Sequence, residues 1–132
     1  MDAPTNHDAA AIRADLNFWR DLAGGDDESA RELLTLFLVD TSAQISSMVS
    51  GLAAGDVDEV CRAAHTCVGS SSTCGLDTLA ELFRQLEEEA GEKRLDALKK
   101  SVPLIVQTFG RVHARLTRAI APSLPEPIQE RA

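Results

Sequence analysis

Apolar residues recur at three- and four-residue spacing along almost the whole chain, the period of amphipathic helices, and no stretch alternates as a strand does. Over residues 9–22, Ile12, Leu16, Trp19 and Leu22 share one side, and Gly24-Gly25-Asp26-Asp27 combines a glycine stop with an aspartate start. The next stripe, Leu34, Phe37, Leu38, Thr41, Ile45, Met48 and Leu52, predicts a helix from about Glu28 to Ala53, stopped by Gly55. Asp56 and Glu59 form a capping box opening a third helix. That helix should bury Val57, Val60, Ala64, Cys67 and Ser71 and end near Cys74-Gly75. Asp77 is the expected cap of a fourth, with Leu79, Leu82, Phe83 and Leu86 inward and Gly91 at its end. A last helix is expected from about Lys93 to Ile120 on the stripe Leu95, Leu98, Val102, Ile105, Phe109, Val112 and Leu116. Pro103 inside it predicts a kink or a delayed start.

These elements predict an all-α fold: an antiparallel up-and-down four-helix bundle with an additional short N-terminal helix packed across one end. Residues 9–121 then form one domain, between a flexible start (1–8) and a Pro-rich tail (122–132). At 132 residues the chain is long enough to bury a core without staples. Its net charge of −8 argues against nucleic acid and against an anionic membrane surface. No apolar run approaches the roughly 18–20 residues of a membrane span, and no basic segment precedes an apolar one at the N-terminus. A cytoplasmic monomer is expected, with Cys61, Cys67 and Cys74 as reduced thiols.

The chemistry concentrates in Ala63-Ala64-His65-Thr66-Cys67-Val68-Gly69-Ser70-Ser71-Ser72. Glycine within a helix costs about 1 kcal/mol relative to alanine, so Gly69, one turn beyond His65, marks an open shelf that another macromolecule can approach. With Ala64 at the centre of the buried stripe, His65 falls about 100° off centre, on the shoulder between core and solvent. Cys61, Val68 and Ser72 share that shoulder, while Arg62 and Gly69 lie further towards water. If the fourth helix returns antiparallel after a turn at 75 or 76, the residue opposite His65 is 86 or 87. Glu87 sits on the matching shoulder. Its carboxylate would accept from Nδ1–H and leave the Nε2 lone pair free, as a nucleophile requires.

From about Leu33 to Leu116 the chain resembles the histidine-containing phosphotransfer (HPt) domain of bacterial and fungal phosphorelays. The family's signature is Ala-His-x-x-Lys-Gly and small residues, then a glycine, an amphipathic helix and a Leu-Glu pair. Ala64-His65-Thr66-Cys67-Val68-Gly69-Ser70-Ser71, Gly75, Leu86-Glu87 and the Gly55-Asp56 turn match it. The resemblance implies that His65 carries a phosphoryl group on Nε2 between receiver-domain aspartates and that Glu87 holds Nδ1. Partner docking falls to Gly69, Val68, Arg62 and Ser72. The partners implied are receiver domains of response regulators or a hybrid histidine kinase. No cofactor or metal is expected in this chain, the Mg²⁺ being supplied by the receiver.

The departure is Val68, where the family has lysine, and Arg62 is the residue placed to substitute for it. Val68 therefore also supports a second reading, a non-phosphorylated adaptor that docks a receiver or kinase with the same face. His7 and His113 have no such surroundings. Glu88 and Glu89 read as a solvated face, and Phe37, Phe83 and Phe109 as core.

Overall fold

The computed structural model describes residues 19–120, and side chains as far as residue 118. Residues 19–22 are helical and precede four longer helices: α1 (Asp27–Ala53), α2 (Val57–Thr73), α3 (Asp77–Gly91) and α4 (Leu95–Ile120). The substantial contacts run α1–α2, α2–α3, α3–α4 and α4–α1, closing a four-helix ring. The expected flexible start, most of the first helix (Ile12 and Leu16 included) and the Pro-rich tail lie outside the described residues.

The buried stripes are those that the periodicity picks out. Leu34, Phe37, Leu38, Thr41, Ile45 and Met48 on α1 meet Val60, Ala64, Cys67 and Ser71 on α2; Leu79, Phe83 and Leu86 on α3 and Leu98, Val102, Ile105, Phe109 and Leu116 on α4 complete the core. Val57, Leu52, Leu82 and Val112 pack on its edge, half-buried. Trp19 is fully buried edge-on to Phe37, and Phe37 is edge-on to Phe109, so the segment before α1 is anchored on the α1–α4 face. Leu22, expected on the inward side, is exposed instead, because the chain is already turning into Gly24 and Gly25.

Three hairpin turns end their helices in the same way. At Gly55, Gly75 and Lys93 the backbone enters the left-handed region (φ +72°, +76° and +56°). The following amide then reaches back to the helix: Asp56 to Gly51, Leu76 to Ser71, Arg94 to Glu89. The third turn departs from expectation. Gly91 is the last helical residue, and Lys93, not a glycine, takes the strained conformation, which costs a residue with a Cβ about 1–2 kcal/mol. Asp77 does not cap α3 either. Leu76 occupies the cap position without a side-chain hydrogen bond, because burying Leu76 starts the helix one residue early; Asp77 remains in the first turn, where its charge suits the helix dipole. Asp56 does cap α2, accepting from the Glu59 amide at 3.1 Å, and Asp26 caps α1.

Two expectations about the long helices are narrowed. Of the kink or delayed start expected at Pro103, the delayed start does not occur: α4 begins at Leu95 and runs through Pro103. The carbonyl deprived of a donor there belongs to exposed Lys99, where water can serve it. In addition, α1 is long and apolar enough to cross a membrane by length and composition, its most apolar window averaging a hydropathy of 1.3. Asp40 and scattered serines interrupt the apolar run, but the leucines, valines and isoleucine around them keep the mean high, which is why inspection of runs misses it. In the bundle, one side of α1 is committed to the core.

Candidate functional site

The α2–α3 hairpin brings His65 and Glu87 together. Nδ1 of His65 lies 2.7 Å from Glu87 Oε2, and the imidazole side chain is 74% exposed against 29% for Glu87. A carboxylate only accepts, so Nδ1 is the protonated nitrogen, and in the neutral ring the lone pair falls on Nε2. No described residue engages Nε2. The pairing arises from local rules: the Gly75 turn sets the register of two antiparallel helices, and both residues stand one step off their buried stripes, Ala64 and Leu86.

The shoulder beside the ring is held in place. The Cys61 thiol donates to the Glu87 backbone carbonyl at 3.7 Å, tying α2 to the residue that orients the ring. Burial first, then the Glu87 and Asp58 carboxylates, push this thiol's pKa up, so it remains a donor. Cys67, deep in the core, is pushed up to about 12 by burial. Thr66 and Ser70 donate their hydroxyls back to carbonyls of their own helix, Arg62 and Thr66, so neither is directed at a ligand.

Gly69 is open: a Cβ built there meets nothing within 4 Å. Val68 is half-buried against the core edge, and Ser72 is exposed one turn beyond it. The open position inferred from the glycine is therefore present, with an apolar residue on one side.

Arg62 is turned away from the ring. Its Nε and Nη2 donate to both Glu59 carboxylate oxygens at 3.0 and 2.6 Å, and Nη2 also reaches Gln44 Oε1 on α1 at 3.2 Å. The guanidinium hydrogen bond holds the Glu59 pKa below the ordinary value. The i,i+3 spacing of Glu59 and Arg62 signals their pairing in the sequence; nothing signals Gln44, which arrives from another helix. Elsewhere, His113 stands edge-on to Phe109 with its Nδ1 3.4 Å from Thr117 Oγ1, far along α4. Among the described residues no group of three or more His, Cys, Asp or Glu side chains converges as a metal site.

Comparison with known proteins bears on the family and the fold. The Hpt domain family matches residues 32–121, which span α2, α3, α4 and nearly all of α1. A search of curated proteins finds no match. Among solved structures, histidine-containing phosphotransfer protein B (HptB) from Pseudomonas aeruginosa PAO1 superposes with a TM-score of 0.73 at 23% identity, covering 83% of this chain and 92% of that one. That likeness is one of fold. With the family match spanning about two thirds of its length, the chain belongs to the Hpt domain family.

Proposed function

We propose that this protein is a phosphorelay intermediate in which His65 accepts a phosphoryl group on Nε2 from the aspartyl phosphate of one receiver domain and passes it to the aspartate of another. The observation that carries this reading is the 2.7 Å contact between Nδ1 and Glu87 beneath a ring that is 74% exposed. As the Nε2–P bond forms, the P–O bond to the donor aspartate breaks and that aspartate leaves as a carboxylate. The proton stays on Nδ1, the ring becomes a phosphoimidazolium, and the Glu87 carboxylate faces the new positive charge. The reverse sequence delivers the group to the next receiver. Gly69 admits the receiver's loops, and Val68, Ser72 and Arg62 border the docking face. The Mg²⁺ and most of the charge stabilisation are assigned to the receiver. On this reading the protein exchanges with receivers or a hybrid kinase in the cytoplasm.

Incubation with phosphorylated receiver domains tests the reading: the chain should acquire acid-labile label that His65→Gln does not. If no receiver labels it while receivers still bind, the protein is an adaptor. Val68 and the engaged Arg62 favour that second reading, since the histidine has no free cation beside it on α2.

A further inference from the structure

Arg62 is the one basic residue in α2, and it stands one turn before His65. Its present partners are weak ones to leave. The side chains of Arg62 and Glu59 are 52% and 34% exposed, and an ion pair this accessible to water is worth little. Gln44 adds a single neutral acceptor at 3.2 Å. A phosphoryl group on Nε2 changes the competition, since it brings roughly two negative charges and three acceptor oxygens to within one helical turn. The guanidinium already makes a two-donor fork with Glu59, and a phosphoryl group offers the same fork with about twice the charge. Side chains on a helix lean towards its N-terminus, so His65 leans over the turn that carries Arg62, while Arg62 leans the same way onto Glu59 and must turn back to meet it. The distance to be covered is that of i,i+3 neighbours, within the swing of an arginine side chain.

We propose that Arg62 is an exchangeable clamp. It rests on Glu59 and Gln44 while His65 is bare, and moves onto the phosphoryl oxygens once His65 is phosphorylated. It thus does from one turn before the histidine what a lysine at position 68 would do from one turn after. Only hydrogen bonds and ion pairs are exchanged. Glu59 and Gln44 compete with the phosphoryl group for the cation, so they tune how well the loaded state is stabilised. The clamp rests on the phosphorylation of His65 proposed above.

The test uses the full chain and phosphoramidate, a small donor whose P–N bond breaks with loss of ammonia as the Nε2–P bond forms. NMR of the Arg62 Nε–H before and after loading reports where the guanidinium is. A ³¹P titration reports the proton affinity of the phosphoryl group, which a neighbouring cation lowers. Loading should shift the Arg62 Nε–H resonance, and Arg62→Gln should raise the phosphoryl proton affinity about fivefold, the size of a partly exposed charge pair. Glu59→Gln should lower that affinity, and by clearly more when Arg62 is present than in the Arg62→Gln background. If Arg62 Nε–H stays unmoved on loading and Arg62→Gln titrates as the wild type, the clamp is wrong and the phosphorylation of His65 stands. If neither phosphoramidate nor any phosphorylated receiver loads His65, the phosphotransfer reading falls and the clamp falls with it.

Discussion

The two flanks of α2 each bring a carboxylate to a nitrogen-bearing side chain, at nearly the same distance and with opposite consequences. On the flank facing α3, Glu87 takes one nitrogen of His65 at 2.7 Å. On the flank reached by α1, Glu59 clasps Arg62 with both oxygens, the shorter contact being 2.6 Å. Imidazole has two nitrogens of different kinds, so holding one as a donor sets the other as an acceptor and leaves it exposed. Guanidinium is a donor throughout, so the same kind of contact occupies its fork and offsets its charge. On the proposed reading, one contact readies a nucleophile and the other holds the cation in reserve for its product.

The sharpest break of this comparison is His65→Gln, which should abolish labelling by phosphorylated receivers. Because the ring is exposed, the thermal midpoint should hardly move, the surface-substitution range being about ±0.5 kcal/mol. Label persisting on the variant would put the phosphoryl group elsewhere.

Next come two helical glycines that differ as the flanks do. At Gly51 a Cβ would stand 3.2 Å from both Asp56 O and Val60 Cγ2, where α1 crosses the start of α2, whereas at Gly69 it meets open space. Gly51→Leu should therefore cost about 1–3 kcal/mol of stability by overpacking. Gly69→Leu should leave the melting temperature unchanged or slightly raised, since leucine is the better helix former, while weakening receiver binding by about tenfold or more. Undiminished receiver binding by Gly69→Leu would remove the shelf from the docking face.

Glu87→Ala should slow phosphoryl transfer by about tenfold, the lower end of what positioned proton-bearing groups contribute, with a smaller effect on docking. Equal losses in rate and affinity would mean that Glu87 is a docking residue. The smallest effect is expected for Val68→Lys. Its stem can follow the apolar shoulder that Val68 covers, and its ammonium should raise the loaded fraction at equilibrium with a receiver about fivefold. A loaded fraction equal to that of the wild type would show that the charge is already supplied from elsewhere.

Much of this site was legible before any coordinates. The His65–Glu87 pair follows from two stripes and a turn: with the turn near residue 75, antiparallel return puts 86 or 87 opposite 65, and only 87 stands on the right shoulder. The open shelf at Gly69 follows from a glycine on a solvent-facing position. The same logic did not single out Gly51, which lies near the end of its helix and whose crossing with Val60 depends on how closely two helices approach. The sequence marks Arg62 as a cation one turn from His65, but not the partner from α1 that engages it. The capping-box spacing points the Glu59 side chain at the helix start, whereas it serves Arg62 while its amide is the group that is capped.

The sequence by itself determined the helices, their inward faces and the register of the α2–α3 hairpin, because burial periodicity and glycine turns are local properties that repeat along the chain. Only the tertiary structure decided which polar groups meet. Gln44 reaches Arg62 from α1 across 18 positions of sequence, and the Cys61 thiol finds the Glu87 carbonyl across 26. It also decided that Lys93, rather than the nearby Gly91, turns the chain out of α3, and that Leu76 displaces Asp77 from the cap. In each case several residues satisfy the local rule. The choice among them rests on a few kcal/mol of packing between elements that the chain places side by side only when folded.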